Sequence, residues 1–226
     1  MSRKIKALIP VRAGSQRVPK KNIREFAGSS LLEIKINQLK RISGIDEVIV
    51  NSDCDRMLEL ADRCGATAIQ REPFFASNKV PMNHVWCHLA ESIESDDIIY
   101  TNCTNPLVKD ESYFKAIEQY LSLPEGYDSL TTVNTIQEYL WSGDNAINYD
   151  PLHHPRSQDL PLYYALNFAI SIIPRDLMIV NKSILGNRFF QFKISNIEAI
   201  DVDTMEDFII AESAYSRLIL GSGQNV

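Results

Sequence analysis

The sequence predicts an α/β fold around a largely parallel sheet. Two observations carry that expectation. Strand-like apolar runs alternate with amphipathic segments of helical length along most of the chain, the rhythm of βαβ units. The length and composition, 226 residues with 45% apolar and 23% charged, suit one α/β unit with a small insertion. The expected unit runs over 1–226, with an excursion at about 137–165.

Taken in order, "IKALIPV" (5–11) reads as a buried strand. Residues 29–43 read as a helix with Leu31, Leu32, the stem of Lys35, Leu39 and Ile42 near one face, and Ser30 with Glu33 forms a candidate capping box. "DEVIVNSD" (46–53) is a strand. Residues 55–65 make a helix ended by Gly65. "TAIQR" (67–71) is a short strand, and 81–94 a helix with Pro81 at its start. Residues 97–103 form a strand, 110–122 a helix and 128–136 a strand. Residues 137–161 are rich in turn formers and break the rhythm. "LYYALNFAISII" (162–173) and "IEAIDVD" (197–203) return to strand character. A helix from Thr204 to about Leu220 closes the chain, with Phe208, Ala211, Tyr215, Leu218 and Ile219 on its apolar face.

Composition excludes several roles. A net charge of −6 argues against a general nucleic-acid binder, whose affinity rests on many phosphate contacts. No apolar run approaches the roughly 20 residues that span a membrane. The N-terminus lacks the long apolar stretch of a signal peptide, so the cytoplasm is the expected location. Cys54, Cys64, Cys87 and Cys103 are scattered and read as free thiols. His84 and His88 lack a third ligand nearby and read as a helix face touching a neighbour.

Against this acidic background, "IPVRAGSQRVPKKN" (9–22) is anomalous. It carries Arg12, Arg17, Lys20 and Lys21, Arg24 follows, and no acid occurs from Lys4 to Arg24. The loop leaves the carboxyl end of the first strand, where ligands bind in open α/β sheets. Gly14, Ser15 and the bases offer backbone N–H groups, a hydroxyl and cations to an anion. Neither G-x-G-x-x-G nor G-K-[ST] is present, which disfavours dinucleotide and P-loop chemistry. A solvated basic loop explains the charge equally well until "IDVDT" (200–204) is considered. Asp201 and Asp203 stand two apart, on one face if this is a strand. Paired carboxylates of this kind suit Mg²⁺, which retains waters and bridges to substrate phosphates. Thr204 and Asp207 form a capping box, which accounts for Asp207 but not for Asp201.

With those two clusters in place, the chain resembles the acylneuraminate cytidylyltransferase family, the CMP-sialic acid synthetases, over nearly its whole length. The family's I-P-A-R-x-x-S-K-x-x-x-x-K-N stands here as "IPVRAGSQRVPKKN", and its D-x-D-T-x-x-D-x-x-x-A-E as "DVDTMEDFIIAE". Between them, "REPFFASNK", "TNCTNPL", "PRSQDLP" and "NFAISI" are similar to R-P-x-x-L-A-S-D, Q-P-T-S-P-L, P-R-Q-x-L-P and N-G-A-I-Y-I. The resemblance implies a Rossmann-like nucleotidyltransferase fold, a mostly parallel mixed sheet with helices on both faces. It also implies a homodimer joined by the excursion, and transfer of CMP from CTP to a sialic-type (nonulosonic) sugar acid, releasing pyrophosphate.

By position, the resemblance implies that Arg12 and Lys21 hold the CTP phosphates and that Ser15 and Asn22 line the nucleotide pocket. Arg71 and the Ser77–Met82 stretch would frame cytosine. Asp201 and Asp203 would hold Mg²⁺, and Asp203 is also a candidate general base. Arg156 and Gln158 would come from the excursion, and Phe189–Phe190 match a pair that packs against an N-acyl group, although "FF" before "QFKI" also reads as core. Asn102 stands at the Gln of Q-P-T-S-P-L. The departures are Gln16 for Lys, Cys103 for Pro, Asn105 for Ser, Val108 for Arg, Ala165 for Arg, Phe168 for Gly and Ser171 for Tyr. Almost all fall on the acceptor side. A different acceptor therefore stays open, whether a 3-deoxy sugar acid, a phosphonate or a polyol phosphate, as does a non-catalytic nucleotide-binding protein.

Overall fold

The computed structural model describes residues 3–221. Residues 1–2 and 222–226 of the expected unit lie outside that range. In chain order the elements begin with β1 (Ile5–Pro10), β2 (Glu25–Phe26), β3 (Ser29–Ser30) and α1 (Leu31–Leu39). There follow β4 (Glu47–Ser52), α2 (Asp55–Arg63), β5 (Thr67–Gln70), α3 (Pro73–Ala76), α4 (Met82–Glu91), β6 (Asp97–Tyr100) and α5 (Asp110–Leu121). The second half holds β7 (Ser129–Ile136), β8 (Trp141–Ser142), β9 (Asn145–Ala146), β10 (Tyr163–Pro174), α6 (Arg175–Asn181), β11 (Phe189–Lys193) and α7 (Met205–Tyr215).

The main sheet runs β11-β7-β10-β6-β1-β4-β5. Pairing is parallel except at β10, which is antiparallel to both β6 and β7. Along β1, Ile5, Ala7 and Ile9 face one core and Leu8 faces the other. Ile99 and Ile98 divide β6 in the same way. The period of two thus buries both faces. Residues of α1, α2, α5 and α7 fill one core, and those of α4 and α6 the other. The chain passes from β1 outward to β4 and β5, then returns to place β6 on the other side of β1. That reversal opens a crevice at the carboxyl end of β1.

Local chemistry explains where the elements stop. Ser30 caps α1 by accepting from the Glu33 amide, while the Glu33 carboxylate takes the Ser29 hydroxyl at 2.9 Å. The expected capping box is therefore half formed. The box at Thr204 and Asp207 is complete. Gly65 follows α2 with φ of +72°. Gly65→Ala is expected to cost about 1–2 kcal/mol, because a Cβ is strained in the left-handed region. A lower urea midpoint at unchanged slope would measure it.

The expected strand over 197–203 does not form. The Ser195 hydroxyl donates to Glu198 at 2.8 Å, and the Ala199 and Ile200 amides return to the Ser195 and Ile197 carbonyls. That side-chain chemistry curls the segment into a turn. The sheet edge there is β11 instead, where Phe190 packs on Tyr127 with ring centroids 5.5 Å apart. The excursion holds the small β8–β9 hairpin and a 3-10 turn over Ser157–Asp159 before β10 begins. His88 stacks on Phe75 at 3.9 Å, the neighbour contact expected of that helix face. The four cysteines are free. No helix among the described residues is long and apolar enough to cross a membrane.

Candidate active site

The crevice is a cleft of about 650 Å³ at the carboxyl edge of the sheet. Its walls come from the loop after β1, the α3–α4 region, the segment after β6 and the approach to α7. Of the residues singled out in the sequence, Arg12, Ser15, Lys21, Asn22, Arg71, Ser77, Asn102 and Asp203 line it.

Val18, buried in the core, anchors the basic loop, and Lys20 turns it with φ of 57°. A 3-10 turn over Lys21–Ile23 then aims Lys21 inward. The Lys21 ammonium donates to the Val202 carbonyl at 2.5 Å and to the Asp203 carboxylate at 3.2 Å. Arg17 reaches the same Asp203 oxygen at 3.1 Å. Arg12 donates to the Asn78 side chain and the Ala76 carbonyl. Asn22 is buried, and its amide oxygen accepts from the Cys103 thiol. Burial pushes that thiol up to about 12, so Cys103 is a neutral donor at the floor.

Arg71 is buried against Asn51, donating to its side chain at 2.6 Å and its carbonyl at 2.8 Å. Burial lowers the pKa of this guanidinium, which stays charged at neutral pH. It is held rigidly at one wall. Ser77 accepts from the Lys79 amide and shapes the loop that Arg12 clasps.

Asp201 and Asp203 lie in irregular chain after the Ser195–Ile200 turn, not on a strand. The Val202 amide donates to the Thr104 carbonyl at 2.8 Å and joins this segment to the cleft floor. Asp201 is solvent-exposed, with Thr104, Lys21 and Asp203 close enough to act on its carboxyl. Desolvation, reinforced by Asp203, holds its carboxyl above the usual carboxylate range, against the opposing Thr104 hydrogen bond and Lys21 charge.

The remaining expected site residues stand elsewhere. Asp201 does not line the cleft wall itself. Arg156 is paired with Asp159 on the excursion at 2.7 Å, and the Gln158 carbonyl accepts from Gln137. Phe189 and Phe190 lie on β11, half-buried and outside the cleft. Of the departures, Ser171 is wholly buried and bonded to Thr131 at 2.8 Å. Phe168 has φ of 52° and packs against the core beside α4 and α6. A left-handed backbone there gives a physical reason for glycine in the N-G-A-I-Y motif. Gln16, Asn78, Phe75 and Thr104 also line the cleft. Of these, Asn78 lies within the Ser77–Met82 stretch, whereas Phe75 sits in a helix too short for periodicity to reveal.

Known proteins are similar to this chain over most of its length. A CMP-N,N'-diacetyllegionaminic acid synthase of Legionella pneumophila is 28% identical over 223 residues, covering 92% of this chain and 95% of that protein. A pseudaminic acid cytidylyltransferase of Campylobacter jejuni is 26% identical over 219 residues, covering 92% and 94%. The solved structure of CMP:2-keto-3-deoxy-manno-octonic acid synthetase complexed with CTP superposes with a TM-score of 0.68 at 17% identity, covering 95% of this chain and 99% of that one, and so shares the fold. The family model described as "Cytidylyltransferase" matches residues 6–208, a span that takes in both the basic loop and the carboxylate segment, and the chain accordingly belongs to the cytidylyltransferase family.

Proposed function

We propose that this nucleotidyltransferase moves CMP from CTP onto a nonulosonic sugar acid and releases pyrophosphate. The carrying observation is that Arg12 and Lys21 of the basic loop, Arg71 after β5 and Asp203 before α7, from three separate segments, converge on one cleft. Two relatives named for legionaminic and pseudaminic acids favour the acceptor class.

In this reading the acceptor hydroxyl attacks the α-phosphorus in line, and the bond to the β-phosphate oxygen breaks. The hydroxyl proton passes to Asp203 or to solvent. Arg12 and Lys21 receive the charge that develops on pyrophosphate, Ser15 and Asn22 line the nucleotide pocket, and Arg71 with the Ser77–Met82 stretch frames cytosine. Positioning and charge stabilisation carry most of such a rate. Mg²⁺ is the cofactor in this reading. No cluster of three or more His, Cys, Asp or Glu side chains gathers among the described residues. The Asp201–Asp203 pair alone fits an ion that keeps waters and takes its other ligands from phosphate. Desolvation, with the like charge of Asp203 added, holds the Asp201 carboxyl up, and a cation would oppose both. Mg²⁺ held there would neutralise charge on the α-phosphoryl oxygens.

The working unit in this reading is a cytoplasmic homodimer. The excursion exposes Trp141, Ile147 and Leu152, and β10 exposes Tyr163 and Leu166 nearby. Pairing through these groups would carry Arg156 and Gln158 toward the partner's cleft. By position in the family motifs, Ala165 stands for a cation and Ser171 for a phenol, so N-acetylneuraminate is expected to be a poorer substrate than a relative with altered amino substitution or side chain. A lost charged partner costs about 1.5–3 kcal/mol, or one to two decades in kcat/KM.

Pyrophosphate release tests the reading with CTP, ATP and GTP against nonulosonic acids, a 3-deoxy octulosonic acid and polyol phosphates. CTP with a nonulosonic acid should give the highest kcat/KM. A purine preference would overturn the nucleotide assignment, and a best rate with another acceptor would overturn the sugar class. N-acetylneuraminate turned over as well as any other acid would overturn the retuned acceptor wall.

A further inference from the structure

Lys35 is wholly buried in the middle of α1, one turn from Leu31 and Leu39. Its ammonium donates to the Gln38 side-chain oxygen at 2.9 Å, the Asn105 carbonyl at 3.0 Å and the Tyr113 hydroxyl at 3.0 Å. The Thr101 hydroxyl has one proton, committed to the Ala169 carbonyl at 2.7 Å. The 2.6 Å contact between Tyr113 and Thr101 is therefore donated by Tyr113, which in turn accepts from Lys35. Proton direction is thus fixed from Lys35 through Tyr113 and Thr101 to Ala169. Three acceptors meet three ammonium protons. Burial, opposed by the neighbouring Cys103 and Asp110, pulls this amine down to about 7. An apolar side chain would fill the same volume without that desolvation cost.

The network reaches the cleft floor and the carboxylate segment beside it. Its anchors, Thr101 and Asn105, bracket the cleft-lining residues Asn102, Cys103 and Thr104. The Asn105 side chain is buried and donates to the Ile200 carbonyl at 3.2 Å, one residue before Asp201. Thr104 accepts from the Val202 amide. Ala169 directly follows the left-handed Phe168 on β10.

We propose that Lys35 is a positioning residue: by gripping both ends of the Thr101–Asn105 segment it holds the Asp201–Asp203 segment in register with the Asn102–Thr104 floor of the cleft. The kinetic arm of its test rests on the transferase reading above, whereas the exchange arm does not. Lys35→Met keeps the stem and removes the donors. Amide exchange at Val202, normalised to β1 amides, is expected to rise at least about tenfold. Exchange at Lys21 and Arg71, whose amides bond to Val18 and Ser52, stays within about threefold. With CTP, Mg²⁺ and the best acceptor, kcat falls at least about 30-fold while KM for CTP stays within about threefold. Unchanged normalised exchange at Val202, or a wild-type kcat in the folded variant, overturns the proposal. If the wild type turns over no acid, the transferase reading fails and the exchange result still decides the positioning role. Should Lys35→Met not fold, Tyr113→Phe replaces it: a kcat loss of about fivefold or more supports the relay, and an unchanged kcat overturns it.

Discussion

Asp203→Asn is expected to lower kcat by about two to three decades, roughly 2.7–4 kcal/mol of barrier, the usual loss when a charge aimed at the reacting phosphoryl group disappears. The same change should act in the opposite direction on nucleotide binding. In the free protein this carboxylate holds Lys21 at 3.2 Å and Arg17 at 3.1 Å. An amide releases both cations for the CTP phosphates. Calorimetry in EDTA should therefore find CTP binding unchanged or tighter, while turnover in saturating Mg²⁺ collapses. Asp201→Asn should show the loss of turnover without the gain in affinity, since the ion pairs of Lys21 and Arg17 are with Asp203. Near-normal turnover in both variants would remove the paired-carboxylate site from the mechanism.

Lys21→Ala is expected to reduce kcat/KM for CTP by about one to two decades, or 1.5–3 kcal/mol, the range for a hydrogen bond from a charged donor. The Lys21 side chain is 15% exposed and held between the Val202 carbonyl and Asp203, so little solvent replaces it when it is removed. Arg12→Ala should resemble it but also loosen the Ala76–Asn78 loop that Arg12 clasps. Lys4→Ala and Lys6→Ala are the controls. Lys6 pairs with Glu47 on the adjacent strand, away from the cleft, and its loss should change kcat/KM less than about twofold. Equal, small losses at Lys4, Lys6, Arg12 and Lys21 would mean that the loop acts only through net charge.

How much of this was legible beforehand depends on the range of the interaction concerned. The basic loop was readable because its bases, Gly14 and Ser15 are consecutive, and because β1 is apolar enough to place it at a strand end. The Thr204–Asp207 box was readable because capping is local. The turn at Ser195–Ile200 was not, since Glu198 as a cap outweighs the strand preference of the isoleucines around it. For the same reason Asp201 and Asp203 come together through Thr104 and Lys21 rather than through strand alternation. Lys35 was read only by its stem, because periodicity assigns a face and cannot report that Tyr113 and Asn105 lie ready beneath an ammonium. Arg156, Gln158, Phe189 and Phe190 depend on how the excursion and a sheet edge pack, and no local pattern encodes that.

The Lys21–Asp203–Arg17 arrangement also bears on what the free enzyme ignores. A polybasic loop standing open in a cell would collect any polyanion, from RNA to free diphosphate. Here the loop carries its own resident counter-ion, tethered by the chain and always at high local concentration. A visiting anion must displace that carboxylate, so a lone phosphate gains little. In the proposed reading CTP compensates through its base, framed by Arg71. Once pyrophosphate has formed, it has lost the tether to cytosine, and Asp203 competes with it on better terms. In that reading the same carboxylate is an exchange partner that helps clear the site for the next turnover.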